Sequence, residues 1–202
     1  VTLVKICGLT RAEDVDCAIA AGADMLGFIL VPWSPRHVDV ATAASLRRRA
    51  PAHVVTVGVI ADATPEAAAT MLAESALDRV QIYGPHARAT QERLGERAIV
   101  ARRLPAEDED GADPVLLDRA FDSTPETIEL HAHWKHARAI GDSGRRVLLA
   151  GALVPETVAD AIATARPWGV DVARGVEQAP GIKDHARVIE FIRAARKGDR
   201  DG

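Results

Sequence analysis

Near the start of the chain, Lys5-Ile6-Cys7-Gly8 closes a short apolar run with an ammonium and a thiol two residues apart. Side chains alternate along an extended segment, so Lys5 and Cys7 share a face. An ammonium near a thiol favours the thiolate, the form that acts as base or nucleophile, and the pair predicts a lowered pKa for Cys7. The plainer alternative is a buried structural cysteine beside a lysine that neutralises a carboxylate. A second apolar run, Val115-Leu116-Leu117-Asp118, ends in a carboxylate, which serves there either as a helix cap or as an acid. A third ends Asp171-Val172-Ala173-Arg174-Gly175-Val176-Glu177. Gly175 would let backbone N–H groups approach an anion, and Arg174 could pair with it. Gly151-Ala152 offers a comparable turn after another apolar run; tight turns that need glycine for backbone freedom are the alternative at both places.

Two further clusters carry polar chemistry. In Pro32-Trp33-Ser34-Pro35-Arg36-His37 the prolines stiffen a loop around Arg36, whose guanidinium suits a carboxylate; a free surface arginine is the ordinary reading. His131, His133 and His136 lie at i, i+2 and i+5, which lacks the i, i+4 spacing of a helical ligand pair. They are expected as exposed loop and helix residues, with no metal.

These residues sit on a repeating frame in which short β-branched runs alternate with longer alanine-rich helical stretches. Expected strands are Leu3 to Cys7, Met25 to Leu30, Val54 to Val59, Arg79 to Ile82, Ile99 to Arg103, Pro114 to Asp118, Arg146 to Leu149 and Gly169 to Ala173. Helices are marked by a capping box at Thr10-Arg11-Ala12-Glu13, by Val40 to Arg49, by the cap and proline of Thr64-Pro65 and by Ala87 to Leu94. Pro155 to Ala165 and Asp184 to Arg196 follow the last two strands. The acidic Glu107-Asp108-Glu109-Asp110 reads as a solvated face. Strand-then-helix alternation implies a parallel sheet, and eight strands with short connections and no glycine-rich phosphate fingerprint after the first favour an α/β fold of one (β/α)8 TIM barrel over residues 1–202. The polar tail, 197–202, is expected to fray. In such a barrel reactive groups gather at the C-terminal ends of strands, where Cys7, Asp118, Gly151 and Arg174 all fall.

Composition sets outer bounds. With 202 residues, 48% hydrophobic but only 3% aromatic, the core must be built of Ala, Val, Leu and Ile. A net charge of −4 leaves no basic footprint for nucleic acid, and no apolar run reaches the length of about 18 residues that spans a membrane. Val1 to Lys5 opens into a strand pattern without the features of a signal peptide, and two cysteines make no disulfide framework. A cytoplasmic location is the expectation.

Taken in order, these segments resemble phosphoribosylanthranilate isomerase of tryptophan biosynthesis over nearly the whole chain. Lys5-Ile6-Cys7-Gly8-Leu9-Thr10 is similar to the family's opening signature, and Ala21-Gly22-Ala23-Asp24 with Gly27-Phe28 to its second strand. Ser34-Pro35-Arg36 resembles its carboxylate-binding loop, and Val57-Gly58-Val59 and Val80-Gln81-Ile82-Tyr83-Gly84 its third and fourth strands. Leu116-Leu117-Asp118 resembles the strand carrying the acid, and Pro180-Gly181-Ile182-Lys183-Asp184 the lead-in to the last helix. The resemblance implies an Amadori rearrangement of a phosphorylated aminosugar without a cofactor, in a monomer or homodimer. It makes Asp118 the acid and Cys7 the base, with Lys5 and Asp171 in support. Arg36 would hold the anthranilate carboxylate, and Gly151, Ala152, Arg174 and Gly175 would meet the phosphate.

The chain also departs from the family pattern. Where the family has a glycine-rich segment that closes over the substrate, Arg119-Ala120-Phe121-Asp122-Ser123-Thr124-Pro125-Glu126 has no glycine. Ala152 replaces the second glycine of a pair, Ala173-Arg174 replaces a serine pair, Tyr83 stands for a histidine, and Ile60-Ala61-Asp62 stands where Phe and Asn are common. These differences suit either an isomerase in which Arg174 makes up lost phosphate contacts or a related barrel enzyme of a secondary pathway that keeps the Cys7/Asp118 pair for another small substrate. A non-catalytic binding barrel is the third reading; it has no need of both groups.

Overall fold

The structure is a computed structural model that describes residues 1–104, 111–119 and 127–201. Strands and helices alternate from the start: β1 (Leu3–Ile6), α1 (Ala12–Ala21), β2 (Met25–Ile29), α2 (Val40–Arg47), β3 (Val55–Ala61), α3 (Pro65–Ser75), β4 (Arg79–Tyr83) and α4 (Ala87–Leu94). The second half continues with β5 (Ala98–Leu104), β6 (Val115–Arg119), α5 (Thr127–Asp142), β7 (Val147–Leu149), α6 (Val158–Ala165) and β8 (Gly169–Val172). A small hairpin, β9 (Glu177–Ala179) and β10 (Ile182–Lys183), precedes the last helix, α7 (His185–Asp201).

Strands β1 to β8 pair in parallel and in sequence order, and β8 returns to β1 with Leu3 opposite Gly169 and Ile6 opposite Val172, closing the expected barrel. The period of two divides the strand residues cleanly. Val4, Ile6, Leu26, Phe28, Ile82, Val100, Leu117, Leu149 and Val170 face outward into the layer between sheet and helices. Met25, Val57, Ile99, Ala101, Leu116, Leu148 and Ala150 fill the barrel interior. With few aromatic residues available, that interior is packed by small aliphatic side chains, and the level above them is polar.

Local signals acted as expected at several helix ends. Thr64 accepts from the Ala67 N–H ahead of Pro65, and Gly22 ends α1 in the left-handed conformation. The capping box at Thr10 does not form: Arg11 is the cap residue, without a side-chain bond, because the Thr10 hydroxyl donates to the Gly181 carbonyl at 2.6 Å. Nor are the three histidines all exposed. His133 is buried, and its Nε2 bonds the Ala150 carbonyl at 2.9 Å. The tail expected to fray continues α7 to Asp201, since Asp199 finds the Thr2 N–H at 2.9 and 3.0 Å through its two carboxylate oxygens. The acidic stretch 107–110 and most of the glycine-free segment after Arg119 lie outside the described residues. Among the described residues, no helix is long and apolar enough to cross a membrane.

Candidate active site

The chain leaves β1 at Cys7, whose N–H still bonds the Val172 carbonyl at 2.8 Å, so the thiol is fixed by the end of the ladder. Its side chain lies against Gly27 on the neighbouring strand, where an added Cβ would stand 2.7 Å from the sulfur. Gly8 then turns the backbone at φ +72°, and a Cβ there would stand 2.8 Å from Cδ of Arg36. One glycine thus makes room for the thiol and the next for the arginine stem.

Burial pushes the Cys7 thiol up from its ordinary pKa; Lys5 and Lys183 pull it down, and the nearby Asp171 adds to the rise. Lys5 thus acts in the expected direction, but the net shift is upward, which corrects the expected lowered pKa of Cys7. Its ammonium is fully buried and committed to Asp171 at 2.8 Å and to Gln81 Oε1 at 2.9 Å, so part of its field is cancelled by its own counterion, and desolvation wins.

Asp118, near the end of β6, is 5% exposed. One carboxylate oxygen accepts the Arg119 N–H at 2.8 Å and the other the Tyr83 hydroxyl at 3.1 Å. Burial raises its pKa, as does the charge of Asp171, while the Arg119 N–H, Tyr83 and Arg103 oppose the rise. The Tyr83 hydroxyl also accepts from Gln81 Nε2 at 3.2 Å, and the Arg103 guanidinium lies 5.0 Å over its ring. Thiol and carboxyl come from strands separated by β7 and β8 on one side and β2 to β5 on the other, so they stand on different sides of one mouth.

A second polar cluster borders Cys7. Arg36 donates from Nε and Nη2 to the Glu177 carboxylate at 2.7 to 3.0 Å. Buried Lys183 donates to the same carboxylate at 2.8 Å and to the Ala173 carbonyl at 3.1 Å. Burial would raise the Glu177 pKa, but Arg36 and Lys183 prevail and hold it low. The loop that presents Arg36 is braced as its prolines imply, with Ser34 Oγ accepting the Arg36 N–H at 3.2 Å.

The two glycine turns expected to meet an anion lie side by side. Gly151 and Ala152 follow β7 with φ of +85° and +56°, and a Cβ on Gly175 would stand 2.0 Å from the Leu153 carbonyl oxygen. Gly175 is thus required by the approach of the neighbouring loop. Among the described residues, the backbone N–H groups of Gly151 and Ala152 donate to no protein acceptor. Arg174 is exposed on the turn 174–176 beside them.

Lys5, Cys7, Asp118 and Asp171 thus come together with Gln81 and Tyr83, and Arg36 joins Glu177 and Lys183. Gly27, Gln81, Glu177 and Lys183 were not singled out from the sequence. A glycine inside a strand marks a close approach. The alternation of Arg79, Gln81 and Tyr83 likewise places three polar side chains on one strand face.

Comparison with known proteins agrees with this geometry. Residues 4–194 match the family model of N-(5'phosphoribosyl)anthranilate (PRA) isomerase. The N-(5'-phosphoribosyl)anthranilate isomerase of Thiobacillus denitrificans is 40% identical over 202 residues, covering 96% of this chain and 97% of that protein. The crystal structure of phosphoribosyl anthranilate isomerase from Thermotoga maritima superposes with a TM-score of 0.87 at 31% identity, covering 98% of this chain and 100% of that one. Another isomerase structure, in complex with reduced 1-(o-carboxyphenylamino)-1-deoxyribulose 5-phosphate, gives a TM-score of 0.84 at 32% identity with the same coverage. From fold, strand ends and near full-length similarity together, the chain belongs to the N-(5'-phosphoribosyl)anthranilate isomerase family.

Proposed function

We propose that the chain catalyses the isomerisation for which its family is named, in tryptophan biosynthesis, with Asp118 as general acid and Cys7 as general base. Asp118 protonates the furanose ring oxygen, the C1′–O bond opens, and the nitrogen lone pair forms the Schiff base. Cys7, as thiolate, then takes the C2′ proton, and the resulting enolamine tautomerises to the aminoketone. Proton transfer of this kind needs an acid and a base on different sides of one sugar. The observation that carries the reading is the buried carboxyl of Asp118, held above the usual carboxylate range in the same mouth as the buried thiol of Cys7.

The surrounding groups support the same substrate. The compound in complex with one structural neighbour, reduced 1-(o-carboxyphenylamino)-1-deoxyribulose 5-phosphate, bears a carboxylate at one end and a phosphate at the other. Here Arg36 would take the carboxylate, steadied by Glu177, and the backbone N–H groups of Gly151, Ala152 and Gly175, with Arg174, would take the phosphate. Lys5 and Asp171 support the two proton-transfer groups from the interior. The enzyme acts as a cytoplasmic monomer or homodimer and draws on no cofactor.

Growth of a tryptophan auxotroph lacking the isomerase tests the reaction, followed by fluorescence assay with phosphoribosylanthranilate. Cys7→Ser and Asp118→Asn should each lower kcat by about 10²–10⁴-fold with the fold retained. Failure to restore growth would remove the substrate assignment, and undiminished turnover in either variant would remove that residue's role.

A further inference from the structure

A hydrogen-bonded chain crosses the mouth from Lys5 to Asp118, and its donors and acceptors follow from chemistry alone. An ammonium only donates, so the Gln81 oxygen must face Lys5, as it does at 2.9 Å. The Gln81 amide nitrogen is left to meet Tyr83 and donates to its hydroxyl oxygen at 3.2 Å. A hydroxyl that accepts there keeps its own proton to give, and Tyr83 gives it to Asp118 Oδ2 at 3.1 Å. Reversing the amide would set two donors against each other at Lys5. The direction of every link is therefore set by the Lys5 charge, which Asp171 anchors at 2.8 Å.

We propose that Gln81 and Tyr83 are positioning residues for the acid: the chain Lys5–Gln81–Tyr83 presents a hydrogen-bond donor to Oδ2 of Asp118 and so sets both the orientation of the carboxyl and its readiness to give and regain a proton. The inference rests on the reading of Asp118 as the acid. The groups that act on Asp118 are Tyr83 from β4, Arg103 from β5, Asp171 from β8 and the Arg119 N–H of its own strand. Burial and Asp171 favour the neutral carboxyl; the two N–H and O–H donors and Arg103 favour the charged one. Tyr83 keeps its proton throughout, because burial and the charges of Asp118, Asp171 and Cys7 push its pKa far up. A carboxyl balanced in this way can protonate the ring oxygen and recover its proton afterwards. Linked hydrogen bonds polarise one another, so the charge of Lys5 is felt at Asp118 through two neutral side chains.

Tyr83 is the single tyrosine of the chain, so labelling with [13Cζ]tyrosine gives one NMR signal. In the unaltered protein that signal should step as Asp118 titrates, and Asp118→Asn should abolish the step. In Tyr83→Phe the Asp118 13Cγ titration should move up by roughly one to two pH units, the loss of one hydrogen bond to the charged carboxylate, carrying the acid flank of kcat/KM with it. Gln81→Met, at a side chain that does not touch Asp118, should move both the same way by less. An unchanged Asp118 titration in folded Tyr83→Phe overturns the proposal, as does a Tyr83 signal blind to Asp118 in the unaltered protein, which needs no variant to fold. Full activity in Asp118→Asn would overturn the acid assignment instead and would leave the spectroscopic link intact.

Discussion

The sulfur of Cys7 occupies the space that any side chain at position 27 would need. We expect Gly27→Ala to displace the thiol and lower kcat by about 10²-fold, the scale of a misplaced reacting group. The added methyl should cost about 1–3 kcal/mol of stability. Unaltered circular dichroism with lost turnover would bear this out; a fully active variant would show that the thiol works from elsewhere. At this scale the placement of Cys7, Asp118, Gly151 and Arg174 at or just beyond strand ends was legible, because it needs only the alternation of elements. The sequence was a poor guide to the electrostatics of Cys7. Spacing reveals that Lys5 is near, but not that Asp171 already occupies the ammonium or that both groups are cut off from water. The same period-two argument that pairs Lys5 with Cys7 also pairs Gln81 with Tyr83.

Helix α5 meets the barrel through His133, whose Nε2 holds the Ala150 carbonyl just before the Gly151 turn. Its Nδ1 is buried and has no hydrogen-bond partner among the described residues, which offer no acceptor for a second proton. Burial is the chief cause that holds its pKa below the ordinary value, with Arg119 and His136 adding to the effect. A histidine with a depressed folded pKa resists protonation in the native state while the unfolded chain accepts it. Stability is therefore unaffected well above about pH 6.5 and falls as the pH drops below it. We expect His133→Phe to lower the urea midpoint at pH 7.5, through the lost bond of about 1 kcal/mol, yet to decline less than the unaltered protein between pH 7.5 and 5.5. A parallel decline in both would exclude this histidine as the source. The three-histidine cluster shows why elements are harder to read than residues: a helix has an inner face, and which histidine lies on it depends on the docking of α5. The β9–β10 hairpin escaped notice for a related reason, since strands of two or three residues carry no usable period. It nonetheless brings Glu177 and Lys183 to the mouth.

The closed sheet depends on joining the two ends of the chain, and α7 does this from outside. Arg196 donates to the Thr2 carbonyl at 2.6 Å, to the Gly22 carbonyl at 3.1 Å and to Asp24 at 2.6 Å, while Asp199 takes the Thr2 N–H. Arg196→Met should lower unfolding free energy by about 1–3 kcal/mol in urea titrations and leave KM unchanged. An unchanged midpoint would show that the β1–β8 ladder closes the barrel alone. The barrel itself was legible from eight alternations of strand and helix pattern, each a local feature repeated along the chain. The seam was not, because Arg196 reads locally only as the end of a helix and Asp199 as part of a polar tail. At the end of the barrel away from the mouth, Trp168 lies between the guanidinium groups of Arg79 and Arg146, 5.8 and 5.9 Å from its ring. Above this floor, among the described residues, Met25, Val57, Ile99, Leu116 and Leu148 form an apolar layer. Apolar packing on that side leaves the strand-end mouth as the side from which a reactant would approach Cys7 and Asp118. A molecule seated over Cys7 and Asp118 would displace water from them as it binds, so recognition and drying of the reacting groups go together.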